Sequence, residues 1–540
     1  MKRFALTLLL FNGLLLALLL PRYPWIPWVA AEALMVCAVF SLLSPSLFSR
    51  VLAGVVGTLY AVLALFTLSD LLIRQSLGRG LNLYLELGVV GSVVDLMLSN
   101  LGTGLSLLIL LGLLLAFCGL ALWVGKLLSR LAGGLHSNFG KAAFATGLLV
   151  VAVSFVPQSV VSLSAAQLAT HQIQLAIDTR RSTAEFSQSL ANDPAAGKPV
   201  ALPGLASIDV IFGFIESYGI SSLADDRFKH LIGPRLDKME AAVSAAGLHM
   251  VSGRLRSPVQ GGQSWLAHAT LLSGQWIDTQ LDYEILLASH YPTLIDDMAE
   301  TGHDTVAVMP AITQDWPEGQ AFGYNRIYES TTMDYQGPPF NWVTMPDQYT
   351  WSWFQQSVRE QAAGPMFAEV ALISSHAPWV PILPVLDDWD SVGNGTAFNQ
   401  WKGAGETPAS LWREPERVRE HYALAIDYAL NVATGYATRH VDENTLLVLL
   451  GDHQPAPLVT GEGASRDVIV HVISGNPELL APFLATTSGG GGLPGFQMGA
   501  KPNLNQIGPS MASFRPFMLR EFRRSPLSTE VASVKGVGQP

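Results

Sequence analysis

Cysteine is nearly absent from this chain. The only two, Cys37 and Cys118, both stand inside long apolar runs, so no disulfide can staple anything after residue 118. An oxidising compartment permits that and does not require otherwise. Charge is also scarce, at 14% of residues, and it is unevenly placed. Residues 1–160 hold nine Lys or Arg against four acids, which leaves the other 380 residues at −16 of a total of −11. A strongly acidic portion lacks the basic patches that phosphate backbones need, which excludes nucleic-acid binding. No internal repeat and no heptad run is present.

What fills the first portion is hydrocarbon. Apolar runs near 4–20, 27–44, 51–73, 101–125 and 142–160 are each about long enough to cross a bilayer core of roughly 30 Å, and the expectation is five transmembrane helices. A cleaved signal peptide would account for the first run alone. Lys2, Arg3, Arg50, Lys126, Arg130 and Lys141 fall on one side, against Arg22, Arg74 and Arg79 on the other, which places the N-terminus in the cytoplasm and residues after 160 outside. The stretch 80–100 is interrupted by Gly, Glu86 and Asp95 and reads as interfacial or re-entrant. The expected organisation is a membrane domain over 1–160, a linker over 161–205, an exported catalytic domain over 206–525 and a flexible tail over 526–540. Within the linker a polar helical stretch ends at the Pro and Gly of "ANDPAAGKPVALPG". A Gly-rich loop at 488–495 reads as solvated surface.

In the exported portion, short apolar runs stop at polar residues. "VIFGFIE" ends at Glu216, "VALISSH" at His376, and "TLLVLLGDH" at Asp452 and His453. Runs without polar alternation suit parallel strands covered on both faces, and 414–440 has helical periodicity, so an α/β domain with a mostly parallel central sheet is expected. Ligands in such sheets sit at the carboxyl ends of strands, where these polar residues fall. Glu216, Asp452 and His453 would form a divalent-metal shell of mixed oxygen and nitrogen donors, Zn²⁺ or Mn²⁺, with a position left for a nucleophile or substrate oxygen. Taken singly, each of these residues is also an ordinary cap or loop residue.

"FIESYG" (214–219), "GGQSWLAHATLLSG" (261–274), "SSHAPWVP" (374–381) and "GDHQP" (451–455), in that order behind five apolar runs, resemble the sulfatase-type branch of the alkaline phosphatase superfamily. Within it they are most similar to membrane-anchored lipoteichoic acid synthases and phosphoglycerol or phosphoethanolamine transferases. The resemblance implies metal binding by Glu216, Asp452 and His453, and contact of His376 with the transferred group. It puts the nucleophile, a Thr in the transferases, on or near Ser264, which would also touch the metal. Thr270 is a rival hydroxyl, and His268 is a packed helix residue or a base. The family's second substrate-side histidine has no counterpart in 306–319. Ser264 lacks the Pro and Arg of a formylglycine signal, so it stays a serine. "GGQS" reads as a strand-to-helix turn, with the following helix N-terminus favouring phosphate.

The implied activity is a membrane-anchored, metal-dependent transfer of a phospho-headgroup from a bilayer phospholipid to an envelope glycan or lipid, through a covalent enzyme intermediate. Two alternatives stand beside it: hydrolysis of phosphate or sulfate esters, and an inactive envelope-binding protein that keeps the fold.

Overall fold

The computed structural model describes residues 2–17, 28–133, 137–156, 160–193, 197–484 and 493–523. Most of the expected Gly-rich loop and the whole 526–540 tail lie outside these residues. The chain divides into two compact units, Met1–Gln75 with Arg79–Ala184, and Glu185–Pro540 with Ser76–Gly78.

The first unit is helical: α1 (Lys2–Ala17), α2 (Ala31–Leu42), α3 (Leu47–Leu77), α4 (Leu83–Ser129), α5 (Ser137–Val153) and α6 (Ser164–Asn192). Two described helical segments, Leu47–Leu77 and Leu101–Ser129, are long and apolar enough to cross a membrane. The other three expected spans hold described helices of 16, 12 and 17 residues, with 18–20, 27 and 157–159 outside the described residues, and the 12 residues of α2 reach about 18 Å at 1.5 Å per residue. Gly102, at φ 74° and ψ 158°, breaks α4. The stretch read as re-entrant is therefore a helix that leads into the kink. Helices α3 and α4 touch backbone to backbone, since a Cβ on Gly57 would meet Ala121 O at 2.3 Å. The buried charge of Asp70 is paired: its carboxylate accepts from Arg74 at 2.9 Å and from the Leu81 N–H at 2.8 Å. The polar stretch after residue 161 forms α6, which ends before the Pro and Gly that the sequence marks as its stop.

The second unit is built on eight strands: β1 (Asp209–Ile215), β2 (His249–Arg256), β3 (Asp304–Met309), β4 (Arg326–Glu329), β5 (Met366–Leu372), β6 (Thr445–Gly451), β7 (Asp467–Ser474) and β8 (Gln497–Met498). Their order across the sheet is β8-β2-β7-β6-β1-β5-β3-β4. The five strands β6, β1, β5, β3 and β4 pair in parallel, whereas β7 on β6, β2 on β7 and β8 on β2 are antiparallel. The sheet is thus mixed where a mostly parallel one was expected. The link from β6 to β7 carries only the one-turn helix Pro457–Thr460 and returns the chain antiparallel, without the crossover helix that a parallel pair uses.

Alternate residues of the central strands serve two cores. Ile211, Ile215, Leu447 and Leu449 face α7 (Asp226–Ala245) and α10 (Pro415–His440), while Val210, Phe212, Phe214 and Val448 face α8 (Ser264–Ser273) and the C-terminal aromatic residues Phe514 and Phe517. Every residue of β6 is buried, which explains the unbroken apolar run. The three runs singled out in the sequence are the adjacent strands β6, β1 and β5, so their polar ends emerge side by side.

Candidate metal and nucleophile site

Glu216 follows β1 directly, and its backbone N–H donates to Leu372 O of β5 at 3.0 Å. Asp452 and His453 follow β6. Gly451 precedes them because a Cβ there would lie 2.1 Å from Tyr218 O, so only glycine lets the two chain turns approach. Asp452 Oδ1 accepts the backbone N–H groups of Ser217 (2.8 Å) and His453 (2.6 Å), which fixes its carboxylate. Glu216 Oε1 accepts from Ser217 Oγ at 2.9 Å.

The His453 ring is oriented by its own chain. Nδ1 lies 2.9 Å from Gln454 O, and since a carbonyl can only accept, Nδ1 carries the hydrogen. Nε2 therefore faces Glu216 Oε1 at 3.4 Å, Asp452 Oδ2 at 3.6 Å and Ser264 Oγ at 3.2 Å. The three side chains are 13% (Glu216), 2% (Asp452) and 1% (His453) exposed, and one ligand atom from each falls within 4.8 Å of the others. Among the described residues the ion pairs of Glu216 and Asp452 are with His453 alone, and no Lys or Arg reaches them. Burial and the Glu216 charge push Asp452 up, while Glu216 is held down, against its burial, by His453 and His376. Two buried acids that repel one another and an imidazole nitrogen aimed between them fit a divalent cation.

Ser264 opens α8. The turn before it needs three consecutive left-handed residues, Gly261 (φ 76°), Gly262 (φ 143°) and Gln263 (φ 66°), and glycine at the first two makes that turn affordable in conformational terms. The half-buried Ser264 Oγ sits 3.3 Å from Glu216 Oε2 and 3.2 Å from His453 Nε2, at the positive end of the helix dipole. Thr270 is fully buried and donates to Leu266 O at 2.7 Å, one turn back on its own helix. His376, four residues past β5, is exposed and its Nδ1 donates to Ala377 O at 2.6 Å. Its charge reaches Glu216.

Sequence reasoning left one functional group unread. Glu369, in the middle of β5 and 1% exposed, accepts from His268 Nδ1 at 2.5 Å and from Tyr324 OH. The His268 ring lies flat on Phe214, centroid to centroid 3.7 Å, two residues before Glu216. His268 thus pins the first turns of α8 against the end of β1. An acid inside the apolar run "MFAEVAL" was the available signal, since a charge there must find partners.

A mixed α/β sheet thus carries paired carboxylates, an imidazole and an alcohol together at its strand ends. No protein-family model matches the chain, and no curated protein sequence matches it. Solved structures of the alkaline phosphatase superfamily are similar to it at low identity. The lipoteichoic acid synthase LtaP from Listeria monocytogenes shares 14% identity over 54% of this chain and 71% of its own, at a TM-score of 0.37. The C-terminal periplasmic domain of EptC from Escherichia coli, in complex with Zn, shares 15% over 52% and 78%, at 0.36. The integral membrane lipooligosaccharide phosphoethanolamine transferase A from Neisseria meningitidis shares 12% over 89% and 87%, at 0.40.

Proposed function

We propose that this chain is a membrane-anchored transferase that moves a phospho-headgroup, phosphoglycerol or phosphoethanolamine, from a phospholipid to an envelope glycan or lipid by way of a Ser264 ester. The observation that carries this is Ser264 Oγ, within 3.3 Å of both Glu216 Oε2 and His453 Nε2 in a buried acid cluster that no Lys or Arg among the described residues neutralises.

Glu216, Asp452 and His453 would hold the ion, Mn²⁺ or Zn²⁺, with Ser264 as a fourth donor. The ion, when bound, would acidify the serine hydroxyl and neutralise phosphoryl oxygens. The chain's own residues do the rest. The Ser264 hydroxyl donates to Glu216 Oε2, the first acceptor for its proton. The Oγ–P bond forms as the lipid O–P bond breaks, with diacylglycerol leaving. Its oxygen takes a proton from His376, which is open to solvent and close enough to Glu216 for its charge to act there. In the second half His376 takes the proton of the acceptor hydroxyl, the acceptor O–P bond forms as the Ser264 Oγ–P bond breaks, and Glu216 returns its proton to Ser264 Oγ. The N-terminus of α8 faces the phosphoryl group throughout.

The test is mass spectrometry of the detergent-purified full chain after incubation with Mn²⁺ or Zn²⁺ and mixed phospholipids. A headgroup ester on the Ser264 peptide, lost with chelator and in Ser264→Ala, is expected. Bound metal with no ester and free headgroup released in solution would replace transfer with hydrolysis. A chain that takes up no metal would be a binding protein.

A further inference from the structure

Pinning α8 uses only part of His268. Its ring rests on Phe214 and its Nδ1 on the Glu369 carboxylate, but Nε2 has no hydrogen-bond partner among the described residues, and the side chain is 15% exposed. With Nδ1 turned inward to a buried strand, the ring's other nitrogen is turned outward. The helix sets where it stands. Residues four apart share a helix face, and helical side chains lean back toward the N-terminus, so His268 covers the turn that Ser264 opens. The side chains between them are committed elsewhere: Trp265 Nε1 donates to Gln280 Oε1 at 2.9 Å, at the start of α9 (Gln280–Ser289), and Leu266 and Ala267 are buried in the core. Asp452, in the candidate metal cluster, feels the His268 charge.

A ring that served only to pack on Phe214 would need no acid beneath it. Glu369 is 1% exposed in the apolar run "MFAEVAL", where a carboxylate is unfavourable without partners, and its two partners are His268 and the Tyr324 hydroxyl. The carboxylate fixes the rotation of the ring and places a hydrogen on Nδ1. In its charged form the ring donates from both nitrogens, inward to Glu369 and outward from Nε2, and an outward N–H backed by a carboxylate suits an anionic oxygen. We infer that His268 is a further catalytic residue: its Nε2–H donates to a non-bridging oxygen of the phosphoryl group that joins Ser264 Oγ, and Glu369 is the residue that positions it. The assignment rests on the transferase reading above. It moves no proton, and it leaves Glu216 and His376 their roles. What it adds is a donor for the charge that gathers on the phosphoryl oxygens as the Oγ–P bond forms and breaks.

Two isosteres separate contact from packing. His268→Asn keeps an amide N–H in the place of Nδ1, facing Glu369, and has nothing at Nε2, whereas His268→Gln reaches the Nε2 position with an amide N–H and leaves Glu369 with Tyr324 alone. The metal-loaded full chain is given mixed phospholipids at varied concentration. The rate of ester formation on the Ser264 peptide is followed beside metal content and melting temperature. For His268→Asn the maximal rate should fall about 100- to 1000-fold, the loss for one donor to developing oxyanion charge, with half-saturating lipid, metal content and melting temperature held. His268→Gln should melt lower and yet keep its maximal rate within about tenfold of the wild type, because it retains that donor. The reverse order, a fast Asn variant and a slow Gln variant, is the outcome of a packing role and overturns the assignment, as does an Asn variant slowed through loss of metal. Should the Asn variant not fold, a folded Gln variant slowed more than about tenfold overturns it, and one held within that range sustains it. No ester on the wild-type chain, with metal bound, overturns transfer and the assignment together. Ester on the wild type with both variants equally fast overturns the assignment alone.

Discussion

Two histidines of this chain are equally buried and chemically opposite. His471, on β7, and His453, just past β6, are 0% and 1% exposed on neighbouring strands. His471 bonds Tyr218 OH at 3.0 Å and Ser252 Oγ at 2.7 Å, and burial among these neutral groups pushes it down to about 3. Burial pushes His453 the same way, yet Asp452 and Glu216 outweigh it and the net displacement is upward. Depth alone does not make a site. The sign of the neighbours does, and it separates an imidazole that fills a core from one that is ready to ligate a cation.

The largest effect should come from removing a charge of the second kind. Asp452→Asn keeps the shape and the two backbone hydrogen bonds to Oδ1, yet lowers the protein charge facing the ion. Metal content by mass spectrometry should fall to background, and Ser264 loading should drop on the order of 1000-fold, as expected when a serine loses the ion that activates it. His471→Ala should do the reverse: it orphans Tyr218 OH and Ser252 Oγ, costs about 2–3 kcal/mol of unfolding free energy in denaturant titrations, and leaves metal content unchanged. If it emptied the metal site, burial and charge would not be separable.

Glu369 lies between these cases, because it is buried like His471 and acts on the site through His268. Glu369→Gln keeps a hydrogen-bond acceptor for His268 and loses the carboxylate. Loading should slow about 10- to 100-fold, the usual loss for a partner that orients site residues. A positioning role predicts that kcat falls with KM held, and a purely structural one predicts a lower melting temperature with kcat held.

The ends of apolar runs were the legible part of this site. Glu216, Asp452 and His453 stand where β1 and β6 stop, and a run length is a local property. The turn before Ser264 was legible too, since paired glycines mark left-handed backbone. Strand order was not: nothing local in "TLLVLLG" says that β1 and not β7 is its parallel neighbour, and the antiparallel side of the sheet went unread for that reason. The Glu369–His268–Tyr324 cluster joins a strand, a helix and a loop, with 101 residues separating the first pair, so no window of sequence contains it. Of the five expected spans, two are described helices long and apolar enough to cross a membrane, and apolar helices of 12–17 residues look alike whether they cross a bilayer or pack within a helical unit.

Asp347 sharpens the comparison furthest, because it is a buried acid whose direct partner, Ser374, is neutral. Burial raises it from the ordinary 3.8 to about 6, with Glu216 adding to the rise and the Ser374 hydrogen bonds opposing it. The folded chain therefore holds this proton at pH values where the unfolded chain has released it. Its contribution to stability grows as pH falls from about 6 to 3.8 and is lost as pH rises back through that window. At pH 7.5 the folded state carries the ionised group at a cost of up to about 3 kcal/mol. Asp347→Asn keeps the Oδ1 acceptor for the Ser374 N–H and cannot ionise. The variant should unfold at higher denaturant than the wild type at pH 7.5, with the gap closing near pH 4. A wild type that is the more stable of the two at pH 7.5 would mean that Asp347 has a compensating partner within the chain.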